Sequence, residues 1–131
     1  MKALSIKQPW LHAILHLEKD LENRKWKPPK DVIGQRIALH ASKQDDDEGY
    51  EVIQKISGVI LKPEDIQRGC IIATAVLDGV VESSMSPWFD GPFGWILRDI
   101  KILNQPVNCI GALGLWNIPD NLINKANRDK N

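Results

Sequence analysis

The chain has 131 residues, 17 Lys/Arg against 17 Asp/Glu, and two cysteines. That length suits one domain around one core, and 43% hydrophobic with 26% charged residues is an ordinary globular composition. Zero net charge argues against a long basic groove for duplex DNA, and no apolar run reaches the roughly 20 residues of a membrane-spanning helix.

In chain order, Ala3-Leu4-Ser5-Ile6 reads as a short first strand. Pro9 suits the first turn of a helix running from Trp10 to about Leu17, with Trp10, Ile14 and Leu17 on one face and His12, His16 and Lys19 on another. The polar run Lys19 to Trp26 then enters a strand that ends before Pro28-Pro29. Period-two alternation puts Asp20, Glu22, Arg24 and Trp26 on one side of it and Lys19, Leu21, Asn23 and Lys25 on the other. Gly34 opens a further strand, Arg36 to Ala41. Residues 43–49 form an acidic loop whose carboxylates favour the positive end of a helix over about 50–57.

Pro63-Glu64-Asp65 reads as a turn or a short helical start, ended by Gly69. Cys70 to Leu77 is apolar throughout and reads as a central strand buried on both faces. Gly79 marks a break or bulge before Val80-Val81, and Ser83 to Phe93 is a Ser/Pro/Gly loop. A strand from Trp95 to about Leu103 is expected to be broken by Pro106, and Cys109 to Ile118, with Gly111 and Gly114, to be a bent late strand. The tail after Pro119 is polar and reads as frayed chain or a short helix. Cys70 and Cys109 sit in apolar runs, so free thiols in a cytoplasmic protein are expected; Met1-Lys2-Ala3-Leu4 lacks the layout of a secretory leader.

Charge is unevenly spread. Residues 1–43 carry nine Lys/Arg and four Asp/Glu, a balance of +5, and residues 44–67 carry two and seven, a balance of −5. A local positive patch fits a small anionic ligand or a short single strand. Lys19 is a candidate nucleophile or base, since desolvation lowers an amine's pKa, while Glu22 beside it opposes that shift and favours a ligand-orienting ammonium. Arg24 offers a planar fork for phosphate or a base edge, or for pairing with Glu22 or Asp20. Trp10, Trp95 and Trp116 read as core; Trp26 and Trp88 read either as stacking surfaces for a base or as anchors, with Trp88 in a lid-like loop. His40, at a strand end, reads as a general acid or base or as a structural histidine. His12 and His16 have helical metal-pair spacing, yet without a following carboxylate and with only His40 as a third ligand, no metal site is expected.

Ser5-Ile6-Lys7-Gln8-Pro9-Trp10, the Lys19…Glu22-Asn23-Arg24…Trp26 segment, Leu39-His40-Ala41-Ser42-Lys43 and the closing Gly111-Ala112-Leu113-Gly114-Leu115-Trp116 together resemble an ASCH domain. The resemblance runs from Lys2 to about Ile118. In the family signature a glycine is followed two on by lysine, three further by glutamate and two further by arginine; Lys19, Glu22 and Arg24 match, and Leu17 stands in place of the glycine. The resemblance implies a PUA-like β-barrel with a cleft between barrel and N-terminal helix that holds RNA or a nucleoside. Some relatives are small amidohydrolases acting on acetylated cytidine, others cut RNA, and many have no known activity. The amidohydrolase branch has threonine where Glu22 stands, so its threonine-dependent mechanism does not carry over.

The expected fold is α+β: a small PUA-like β-barrel of five or six strands with two or three flanking helices over residues 1–118, then a polar tail, 119–131. An α+β sandwich is second by pattern. The expected function is binding of RNA or a modified nucleoside, without cofactor, membrane or long duplex DNA. Ligand contacts are expected from Ser5, Lys7, Gln8, Arg24, Trp26, Ser42, Lys43 and Trp88. The alternatives are a small hydrolase using Lys19, Glu22 and His40, and a protein-interaction domain with a vestigial cleft. Oligomeric state is not legible.

Overall fold

A computed structural model describes residues 1–128. Its six strands are β1 (Lys2–Gln8), β2 (Leu21–Arg24), β3 (Arg36–Asp45), β4 (Cys70–Val81), β5 (Phe93–Asn108) and β6 (Leu115–Asn117), and its α-helices are α1 (Trp10–His16), α2 (Glu48–Ser57) and α3 (Asp120–Arg128). The strands form one sheet in the order β2-β5-β4-β3-β1-β6, with β1 and β3 parallel and every other pair antiparallel. The sheet curls into a half-barrel, the α+β fold expected.

β4 is the spine. Its first eight residues are all buried, because the sheet is covered on both sides here. Cys70, Ile72, Ala75 and Leu77 join the main core with Leu4, Ile6, Leu11, Leu39 and Trp95. Ile71 points the other way, to Leu103, Ile118 and the α3 residues Ile123 and Ala126. The tail therefore docks as a helix as far as residue 128, held also by Asn104 Nδ2 donating to Asn127 O at 2.6 Å. The expectation for residues 129–131 lies outside the described residues.

The β4–β5 ladder slips register at three places, Ile71/Ala73, Thr74/Val76 and Leu77/Gly79. Each bulge adds local twist and bends the pair, which is how one sheet curls this far. The first slip also explains why Pro106 does not end the strand. It falls between the pairs Ile71↔Val107 and Ala73↔Ile102, where the ladder is interrupted and no N–H is needed. β5 consequently runs to Asn108, five residues beyond the expected end near Leu103.

Two tethers fix the ends of the half-barrel. Arg68 holds Asp45 with a two-pronged grip, Nε to Oδ1 at 2.6 Å and Nη2 to Oδ2 at 2.7 Å, and donates to Tyr50 OH, Pro63 O and Ile66 O. β3, α2 and the turn before β4 are thus locked together. The Arg68 guanidinium holds the Asp45 carboxyl below its ordinary pKa, and burial, with the Asp45 bond second, pushes the Tyr50 phenol up to about 12. At the other tether α2 meets α1. A Cβ on Gly49 would lie 2.9 Å from Pro9 Cδ, so only glycine permits this approach.

Candidate functional site

In this sheet order β2 and β6 are the two edges, and β6 covers only Lys2 to Leu4 of β1. From Ser5 onward β1 has no strand on that side. The curl brings β2 round towards this uncovered edge, and the gap is bridged by a side chain: Arg24 Nη2 donates to Ser5 O at 2.5 Å. The seam of the half-barrel is a cleft of about 920 Å³.

The local chain path decides which groups enter it. Leu17 caps α1 with φ −123°, and the left-handed residue is Glu18, φ 62°. The tight turn therefore falls on Glu18 and not on Leu17, which stands at the signature's glycine position and needs no positive φ. The turn swings Lys19 inward, with Lys19 N donating to Ala13 O at 3.1 Å. Strict alternation, which set Lys19 opposite Glu22, fails because Lys19 precedes β2 rather than belonging to it.

Lys19 is 2% exposed. Its Nζ donates to Leu21 O at 2.5 Å and Glu22 Oε1 at 3.3 Å, and lies 5.5 Å from the centroid of Trp10. Burial lowers its pKa; the charge of Glu22 opposes this and does not overcome it. Glu22 bridges two cations, its Oε2 lying 3.2 Å from Arg24 Nη2. Arg24 Nε is buried with no hydrogen-bond partner among the described residues. The triad expected from the sequence does share one hollow.

Trp26 follows β2 and leaves 37% of its surface exposed along the cleft wall. Its ring meets Trp95 edge-on at 4.7 Å, and its carbonyl accepts from Trp95 Nε1 at 3.0 Å, so the half-exposed indole stands on a buried one. Ser5, Lys7, His40, Ser42 and Lys43 also line the cleft. His40 is buried between Ser5 Oγ, 3.0 Å from its Nδ1, and Cys109 O, 2.9 Å from its Nε2. The His12 and His16 rings lie 4.7 Å apart, tilted at 49°; burial, with His16 second, lowers the pKa of His12.

Two expected ligand residues lie elsewhere. Gln8 is buried, its Nε2 donating to Gln67 O and its Oε1 accepting from His12 N, both at 2.9 Å. It ties α1 to the turn before β4 and does not line the cleft. Trp88 is 7% exposed and packs with Ala13 and Ile53 under the 82–92 loop, as an anchor rather than a lid. Asn23 explains why: its Nδ2 donates to Trp88 O at 3.0 Å, and its Oδ1 accepts from Asp90 N and Gly91 N. Trp10, expected in the core, packs against it and also lines the cleft, donating from Nε1 to Asp46 Oδ2 at 2.9 Å.

Sequence reasoning missed the far wall. Residues 109–114 are a loop, not a bent strand, and Ile110 and Leu113 on it are 86% and 98% exposed. Local sequence did not distinguish the two, because Gly111 and Gly114 suit a loop and a bent strand equally. Lys25, Asp46 and Asp90 were missed as lining groups because nothing local marks them. Cations on the wall still outnumber carboxylates, with Lys7, Lys19, Arg24, Lys25 and Lys43 against Glu22, Asp46 and Asp90.

A curled mixed sheet whose open seam collects a lysine, a glutamate and an arginine defines the class. A profile of the ASCH domain matches residues 4–91, and the chain belongs to the ASCH domain family. The fold agrees with the crystal structure of ASCH from Zymomonas mobilis at 16% identity and TM-score 0.57, covering 95% of this chain and 91% of that one. Two single-substitution variants of that bacterial protein align over the same 95% of this chain, with TM-scores 0.56 and 0.55. No curated protein sequence matches significantly.

Proposed function

We propose that the seam cleft binds RNA or a modified nucleoside, in the cytoplasm. The observation that carries this is the convergence of Lys19, Glu22 and Arg24 with the half-exposed Trp26 in one hollow with a cationic rim. The parts divide the work by chemistry. Trp26 offers a face for a base. Arg24, already aimed by Glu22 and Ser5 O, presents a fixed fork for a phosphate or a base edge. Lys7, Lys25 and Lys43 are exposed charges suited to a phosphate backbone. No described helix is long and apolar enough to cross a membrane, and both cysteines are free, as in a reducing compartment.

The test is calorimetric titration of short single-stranded RNAs and a nucleoside panel across a salt series. With three rim lysines on phosphates, log affinity falls with log salt with a slope of about −2. Trp26→Ala weakens binding by about 1–3 kcal/mol at every salt concentration. Absence of binding at low salt contradicts the reading.

A second reading, hydrolysis of an acyl-amide nucleoside or of RNA, is favoured by one observation: the buried, pKa-lowered Lys19 amine beside Glu22. Such an ammonium stabilises charge developing on oxygen. On this reading Lys19→Ala abolishes turnover while the circular dichroism of the folded domain is kept, and unchanged turnover excludes it.

A further inference from the structure

Residues 110–113 of the far wall make no hydrogen bond among the described residues, and none of their side chains is polar. What fixes their place lies beneath them. The root of the wall, Cys109, is held on both sides: its N donates to Gly69 O at 3.2 Å, and its O accepts from His40 Nε2 at 2.9 Å. A carbonyl oxygen only accepts, so in the neutral ring Nε2 carries the proton and Nδ1 accepts from the Ser5 hydroxyl, 3.0 Å away. Parallel pairing of β1 with β3 sets Ser5 beside His40. Ser5 O in turn accepts from Arg24 Nη2 at 2.5 Å. One run of contacts, Arg24 to Ser5 to His40 to Cys109, therefore crosses the cleft from β2 to the far wall.

Gly111 rests directly on this run. A Cβ there would lie 2.4 Å from Ser5 Oγ and 2.6 Å from His40 Cε1, so only a residue without a side chain fits. Its φ is not positive, so closeness and not backbone conformation demands the glycine. At its other end the wall reaches the exposed indole: a Cβ on Gly114 would lie 3.9 Å from Trp26 Cζ2. The His40 ring also meets Trp116 on β6, the strand that follows the wall, edge-on at 5.8 Å.

We propose that Ser5 and His40 are positioning residues that set the width of the cleft. This rests on the seam being the ligand site. The pair acts through the wall, since its bonds go to protein groups and Gly111 covers Ser5 Oγ. Releasing Cys109, or lifting Gly111, moves Leu113 and Gly114 away from Trp26 and loosens the grip on a ring stacked there. The Ser5 carbonyl ties the Arg24 fork to the same frame, so fork and wall keep one spacing.

The test compares His40→Gln with His40→Asn in the full chain. A glutamine amide nitrogen reaches the place of Nε2 and keeps the bond to Cys109 O; an asparagine reaches only as far as Nδ1 and loses it. Two readouts are taken on the same samples: affinity for a fluorescein-labelled short single-stranded RNA at low salt, and the nuclear Overhauser contact between Gly114 and the Trp26 ring. His40→Gln is expected to bind within about twofold of the native protein and keep the contact, whereas His40→Asn binds about fivefold or more weakly and loses it. Gly111→Ala props the wall outward with the His40 side chain unchanged, is expected to behave as His40→Asn, and decides the matter where His40→Asn does not fold. Equal binding by the glutamine and asparagine variants, or native affinity in Gly111→Ala, overturns the proposal. If the native protein binds no RNA, the ligand reading falls by itself, and the Overhauser contacts alone decide whether the pair positions the wall.

Discussion

Glu22 is the residue on which two others depend. It is buried and faces Lys19 Nζ at 3.3 Å on one oxygen and Arg24 Nη2 at 3.2 Å on the other. Removing it strands two cations, one of them almost fully enclosed. Glu22→Ala is therefore expected to destabilise the fold by about 3–5 kcal/mol in urea unfolding, far beyond a surface ion pair. Lys19 gives a second handle, through pH. Its folded pKa is lowered, chiefly by burial, so the unfolded chain binds the proton more tightly. Stability must then rise with pH from the folded pKa up to the ordinary lysine value of about 10.4. Lys19→Met removes that rise, measured as urea midpoints over the alkaline range.

At the scale of elements, one asparagine on β2 decides where the 82–92 loop goes. Asn23 makes three side-chain bonds to Trp88, Asp90 and Gly91 and so folds the loop onto β2. Asn23→Ala loses all three at about 1 kcal/mol each; faster hydrogen exchange at the Asp90 and Gly91 amides is expected, with β4 unaffected. This element also shows what is legible in sequence. Cys70–Leu77 could be read as a central strand because an unbroken apolar run has one comfortable place, between two covered faces. Trp88 could not be placed, because its burial depends on Ala13 and Ile53 from two other elements. Pro106 misled for a similar reason: a register slip set by the partner strand removed the need for its N–H. Leu17 stands where the signature has glycine, and the left-handed residue of this turn is Glu18.

For the whole molecule, the proposed function follows from incomplete closure. A sheet that curls but leaves β1 uncovered beyond Leu4 presents main-chain groups and side chains on one wall, and β2 supplies the other. The grouping of Lys19, Glu22, Arg24 and Trp26 along one cleft was legible because their chemistry is conspicuous: they make little sense as a mere support strand. The seam itself was not, since an arginine reaching a carbonyl 19 residues away leaves no mark on local sequence. Neither was the 109–114 wall, whose glycines read equally as a bent strand. The central claim is that this seam is where ligand binds. The most direct test is an amide NMR titration with a short single-stranded RNA at low salt. Shifts concentrated at residues 5–7, 22–26 and 109–114, and abolished by Arg24→Ala in a folded protein, are the predicted result. Shifts confined to α3 and the outer face of β5, or none at all, would contradict it.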